Sequence, residues 1–205
     1  MIVRRLYRDC SAVSAAEFAL VLPLMLFLIF GVIDAGRFMW DYNRATKATQ
    51  VGARVAVVTD SVPSGLASEE YVGQTVNGTT LTQGDLIPAA ALGDIRCTRD
   101  ACSCATPTCP DDVGALDAST FDDVLLPRMQ AMYPAIQADN VVLHFTGSGL
   151  GYAGDPNGMQ ISPIVTVELT GLQFTPITFL LLGTITMPDF RTSLTEEDAS
   201  GTQSN

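Results

Sequence analysis

The sequence predicts an α+β protein: a long N-terminal transmembrane helix continuing into a small extracytoplasmic domain of helices and an antiparallel sheet. Three observations carry this. Residues 18–33 read FALVLPLMLFLIFGVI, an apolar run without a charge, bounded by Glu17 and Asp34. The charges are divided unevenly: residues 1–59 hold seven Lys and Arg against four Asp and Glu, leaving four basic and eighteen acidic residues beyond them. The second half of the chain carries β-branched, alternating segments separated by Gly- and Pro-containing turns, the pattern of strands rather than of further membrane helices.

The helix comes first. Val13 to Ala16 on one side and Ala35 to Trp40 on the other lengthen the apolar run beyond the roughly twenty residues that cross a bilayer core. Pro23 lies near the start of the span, where a local kink is tolerated. Arg4, Arg5 and Arg8 precede the span, but Arg37, Arg44, Lys47 and Arg54 follow it, so a count of basic flanks does not orient it. A basic, apolar start also fits a secretory signal peptide. The polar, Arg-bearing stretch after the span, however, offers no small-x-small cleavage site. The helical pattern instead continues. Tyr42, Ala45, Ala48 or Thr49, Gly52, and Val55 or Ala56 recur at three- and four-residue steps, with Arg44, Lys47 and Arg54 on other faces. One helix over 13–59, ending before Pro63, is expected. Its organisation is a basic cytoplasmic leader (1–12), a transmembrane helix (13–40) and a helical extension outside the membrane (41–59).

Cys10 stands alone, whereas Cys97, Cys102, Cys104 and Cys109 crowd into one loop, 97–109. Two disulfides in an oxidising compartment are the first reading, with three pairings open. A four-thiolate zinc site is the rival, although C-x4-C-x-C-x4-C lacks the usual C-x2-C knuckles. Oxidised cysteines and the acidic bulk beyond residue 60 place the C-terminal domain outside the cytoplasm, hence the N-terminus inside. That acidic field excludes nucleic acid as a partner, because phosphate binding needs basic side chains.

The extracytoplasmic α+β domain is expected over 60–192. Residues 60–80 are polar and small, with a short helix around 66–76, and 81–116 look irregular or weakly stranded. Ser119 or Thr120 is placed to cap a helix carrying Phe121, Val124, Leu125, Met129 and Met132 on its apolar side, bent at Pro127 and stopped by Pro134. Strands are expected at 141–146, 161–170 and, as the last one, 183–187. Asp155-Pro156-Asn157-Gly158 marks a turn between the first two. The apolar stretch 176–182 is too short to cross a membrane, and 193–205 reads as a polar acidic tail.

No catalytic set emerges. The single histidine, His144, sits inside a strand pattern as a structural or edge residue. Neither H-E-x-x-H nor G-x-S-x-G occurs, and there is no phosphate-binding glycine loop. Asp111-Asp112 and Asp122-Asp123 read as solvated surface rather than calcium ligands. The expectation is a non-enzymatic protein without metal or cofactor. Glu17 stands out, because a carboxylate at the membrane end must face water, the interface or a cationic partner.

Ser14-Ala-Ala-Glu17-Phe18-Ala-Leu-Val-Leu-Pro23, followed by Gly31-Val-Ile-Asp34-Ala-Gly36-Arg37, resembles the TadE-like family of tight-adherence (Flp-type) pilus assembly proteins. The resemblance covers about residues 10–55. It extends loosely to Phe174-Thr-Pro176-Ile177 and Ile185-Thr-Met-Pro188. It implies a minor pseudopilin-like component that supports fibre biogenesis and adhesion. It also implies partners among other pilus assembly proteins, membrane lipid and a prepilin peptidase. In that family's processing motif a Gly precedes the cut and a Glu is the fifth mature residue. With Glu17 in that place the cut falls between Ala12 and Val13, and Ala12 stands where the motif has Gly. The same resemblance gives Glu17 an ion pair with a neighbour's N-terminal amine during assembly. A membrane-tethered binding or adhesion module that never enters a fibre is the alternative.

Overall fold

The computed structural model of the chain describes residues 10–106, 109, 116–156, 158–178 and 183–196. Helix α1 (Cys10–Ala56) opens the fold. Nine strands follow among the described residues: β1 (Thr75–Val76), β2 (Thr79–Thr80), β3 (Ile95–Cys97), β4 (Cys102–Cys104), β5 (Val141–Thr146), β6 (Ile164–Leu169), β7 (Gln173–Phe174), β8 (Ile185–Thr186) and β9 (Phe190–Thr195). Between β4 and β5 a π-helical turn (Thr120–Leu125) runs into helix α2 (Leu126–Met132). The chain divides into two compact units, Met1–Asp41 with Gln173–Ile185, and Tyr42–Leu172 with Thr186–Asn205.

Helix α1 contributes to both units. Within the first, its side chains from Ser14 through Ile33 are exposed, and it continues unbroken through Pro23. Among the described residues it is the one helix long and apolar enough, by length and composition, to cross a membrane. Within the second, the three- and four-residue periodicity becomes a buried stripe of Ala45, Ala48, Thr49, Gly52, Ala53, Val55 and Ala56, while Lys47 and Arg54 face water. The helix ends where the Thr59 hydroxyl donates to the Val55 carbonyl at 2.8 Å and takes up an acceptor that a further turn would have used.

The second unit is built on a five-stranded sheet in the order β4-β3-β5-β6-β9, antiparallel throughout. Its register sets Cys97 opposite Leu143, Leu143 opposite Val167, Phe145 opposite Val165, and Leu169 opposite Phe190. All of these are buried, so one face of the sheet supplies the core. The helix stripe meets this face at β9: Thr192 donates to the Thr49 hydroxyl at 3.0 Å, and Tyr42 stands edge-on to Phe190 at 4.9 Å. Gly52 lets Met129 of α2 approach so closely that a Cβ there would lie 2.8 Å from its sulfur. Arg44 closes the same contact, donating to the Met132 carbonyl at 2.9 Å and stacking on Tyr133.

Several expectations are corrected here. The helix sought at 66–76 is a single 3-10 turn, Leu66–Ser68. Asn77 and Gly78 have φ of 51° and 80°, the geometry of a tight hairpin turn, and it reverses the chain between β1 and β2. Neither Ser119 nor Thr120 caps the helix that follows. The Asp117 carboxylate does, accepting from the Ser119 and Thr120 amides at 2.9 and 3.2 Å. Pro127 shapes that helix as expected, through its missing donor: the preceding turn widens, and the Leu126 amide reaches the Phe121 carbonyl five residues back. Met132, expected in the core, is 36% exposed. The last strand is β9 and not 183–187, of which Ile185–Thr186 form only a short ribbon with β7. The polar tail therefore starts later than residue 193, since β9 runs through Thr195 and Glu196 is buried. Of the two readings of His144, structural or edge, the first holds, since it lies on β5, an inner strand, between two carboxylates. Asp111, Asp112 and the chain from 197 onward lie outside the described residues.

Candidate functional site

The N-terminal motif builds a polar clamp in the first unit. Asp34 follows directly on the apolar run, yet it is only 6% exposed. Its carboxylate accepts from the Ile177 amide at 2.7 Å, the Thr178 amide at 2.8 Å and the Thr178 hydroxyl at 2.7 Å. Arg37, one helical turn on, donates to the same carboxylate at 3.1 Å. Its guanidinium lies over the Phe174 ring at 5.4 Å, and Phe38 meets that ring edge-on. One acidic and one basic side chain, three positions apart on the helix, thus hold the backbone of 174–178 against α1. Charge-assisted bonds of this kind are the strong class of hydrogen bond.

Other motif residues behave differently. Glu17 and Phe18 are exposed. Gly31 and Gly36 have open space where a Cβ would stand, so no contact within the described residues demands glycine at either. Ala12 and Val13, which flank the expected cut, lie in the first turn of α1. The clamp itself was not legible as a site. Asp34 and Arg37 were visible only as motif residues, and their spacing of three on a helix was the signal that they act together.

The cysteines resolve to one pairing, Cys97 with Cys102 and Cys104 with Cys109. The first bridge joins residues directly opposite one another in the β3–β4 hairpin. These thiols are therefore not zinc ligands, and the described residues contain no group of three or more His, Cys, Asp and Glu arranged to hold a metal.

The outward face of the sheet is polar. His144 lies between two carboxylates, Nδ1 at 3.1 Å from Asp94 and Nε2 at 3.3 Å from Glu168, while Arg191 donates to Glu168 at 2.6 Å. Thr166 and Ser193 share a hydrogen bond at 2.8 Å beside them. This network ties β5, β6 and β9 together. At the end of β9, Glu196 is 0% exposed and neither carboxylate oxygen has a hydrogen-bond partner among the described residues. Burial pushes its pKa up to about 8. Burial likewise pushes the Tyr71 phenol well above its ordinary value, with Glu69 adding to the effect.

No curated protein and no solved structure matches the chain. Residues 12–54 match the family model described as TadE-like protein, a stretch that lies wholly within α1 and contains Glu17, Phe18, Pro23, Gly31, Asp34, Gly36 and Arg37.

Proposed function

We propose that this chain is a membrane-anchored, minor pseudopilin-like component that helps to assemble a tight-adherence (Flp-type) pilus. The observation that carries the reading is a coincidence in position. The TadE-like match falls on the helix whose apolar side chains, 18–33, no other part of the described chain covers. Uncovered apolar surface on this scale is unfavourable in water and favourable in a bilayer or among other helices. The bridges Cys97–Cys102 and Cys104–Cys109 support an oxidising, periplasmic location for the second unit, with the N-terminus in the cytoplasm. Other pilus assembly proteins are its partners. A prepilin peptidase acts between Ala12 and Val13, and Glu17 pairs with a neighbour's amine during assembly.

Glu17→Gln tests the reading, because the amide keeps the volume and removes the charge. In a strain whose pili depend on this gene, the variant inserts and accumulates like the native protein, yet few surface fibres are counted. Native fibre numbers at native abundance would reject the ion pair. A deletion strain that still forms pili would reject the assembly role and leave a membrane-tethered adhesion module. Sequencing the mature N-terminus settles cleavage separately.

A further inference from the structure

Outside α1 the chain has a second stretch without charge. Residues 169–188 contain no Asp, Glu, Lys or Arg, in a region that is otherwise strongly acidic. Its middle belongs to the first unit. There, Phe174 contacts α1 at Arg37 and Phe38, and the Ile177 and Thr178 amides reach Asp34. From Phe174 to Thr178 the chain therefore travels back along the helix by about one turn, roughly 5 Å, toward the apolar run that ends at Ile33. Ile185 lies in β8, the strand that pairs with β7. Ile177 is 45% and Ile185 48% exposed.

We propose that Ile177 and Ile185 form a second membrane contact, seated in the interfacial layer of the same bilayer that α1 crosses. The proposal rests on the reading of α1 as a membrane span. If that helix is in lipid, a segment hydrogen-bonded to Asp34 lies at the boundary of the hydrocarbon. The side chains beside it fit that depth. Trp40, six residues beyond Asp34, is 67% exposed, as aromatic rings at the headgroup level are. Backbone amides near hydrocarbon need partners, since no water is there to satisfy them. Asp34 supplies partners to two consecutive amides and a hydroxyl. A buried acidic residue at the end of an apolar span thus has a reason to be there: it lets an uncharged segment approach the membrane without unsatisfied donors. Two-point contact would restrict tilting and rotation of the anchor.

Trp40 is the sole tryptophan, so fluorescence separates the two claims. The full chain is placed in phosphatidylcholine–phosphatidylglycerol vesicles carrying brominated acyl chains. Native Trp40 reports the span, and Ile177→Trp in a Trp40→Phe background reports the second contact. Ile185→Trp in the same background is an independent reporter should the Ile177 variant fail to fold, as judged by circular dichroism. The expected result is a loss of intensity from brominated lipid comparable with that of Trp40, together with protection from aqueous iodide. Quenching of Trp40 without quenching of either new tryptophan overturns the second contact and leaves the anchor intact. Shielding from both bromine and iodide assigns the patch to a second copy of the chain and also overturns it. Absence of quenching at Trp40 itself refutes the membrane span, and the second contact with it.

Discussion

Replacing Glu196 by Gln should remove the pH dependence that this residue imposes on the second unit. Glu196 is 0% exposed, without a hydrogen-bond partner for either oxygen among the described residues, and its pKa rises from the ordinary 4.5 to about 8. The folded state therefore keeps a proton that the unfolded state has already released. The sign follows: stability is full below pH 4.5, declines as pH rises, and levels off above the folded value near 8. Across that window one retained proton costs about 1.4 kcal/mol per pH unit, on the order of 5 kcal/mol in all and about 3 kcal/mol by pH 7. The amide cannot titrate, although it too is a buried polar group and carries its own desolvation cost. The diagnostic is thus the slope and not the absolute value. Urea unfolding of the full chain in neutral detergent, followed by near-ultraviolet circular dichroism from about pH 5 to pH 8, gives both slopes. The native protein should lose stability relative to Glu196→Gln over that range. Parallel lines for the two proteins would refute the argument, and would mean that Glu196 is solvated or paired when the chain is folded.

Four further outcomes are expected. Gly147→Ala would place a Cβ 2.0 Å from the Ala89 carbonyl oxygen, a clash with backbone that no rotamer relieves. It should cost roughly 1–3 kcal/mol or more, and an unchanged urea midpoint would show that the two segments part easily. Asp117→Ala should cost about 1 kcal/mol by removing the cap of the π-turn and α2, with Asp117→Asn recovering most of it. Because its bonds to Ser119 and Thr120 hold the Asp117 carboxyl below its ordinary 3.8, this stabilisation is present above that value and disappears as pH falls through the lowered one. A cap that contributes equally at pH 2 and pH 6 contradicts the assignment. Under non-reducing conditions, trypsin should cut after Arg96 and Arg99 and leave residues 97–99 attached to 100–128 through Cys102. Fragmentation that locates the link at Cys104 or Cys109 would exclude the pairing. Replacing Cys97 and Cys102 by Ser should lower stability by about 2 kcal/mol, the loop-closure value for so short a ring.

Much of the architecture was legible because burial imposes period. The stripe from Ala45 to Ala56 recurs every three to four residues, and β5 was located to the residue. Its alternation of Leu143 and Phe145 with His144 leaves only one arrangement that keeps the polar side out. Where the reading failed, a local signal had been outweighed. The Asn77-Gly78 turn was hidden by helical expectation over 66–76. Asp117, two residues ahead of the Ser119 that looked like the cap, holds both amides because its carboxylate reaches farther than a hydroxyl. β9 is missed because the last strand is expected at 183–187 and a polar tail from Ser193, whereas Arg191, Ser193 and Thr195 are the polar alternate positions of an edge strand.

The sequence by itself determined the apolar helix, its continuation into a buried stripe, the strand-rich acidic region and the TadE-like motif. Each of these is written in residues that are neighbours along the chain or one turn apart. Only the tertiary structure decided what Asp34 does, which cysteines pair, why Glu196 is exceptional and how His144 is held between Asp94 and Glu168. Those facts join positions separated by between five and more than a hundred residues. Nothing in local composition specifies such a meeting, because it is set by the register of the sheet and the path of the backbone between elements.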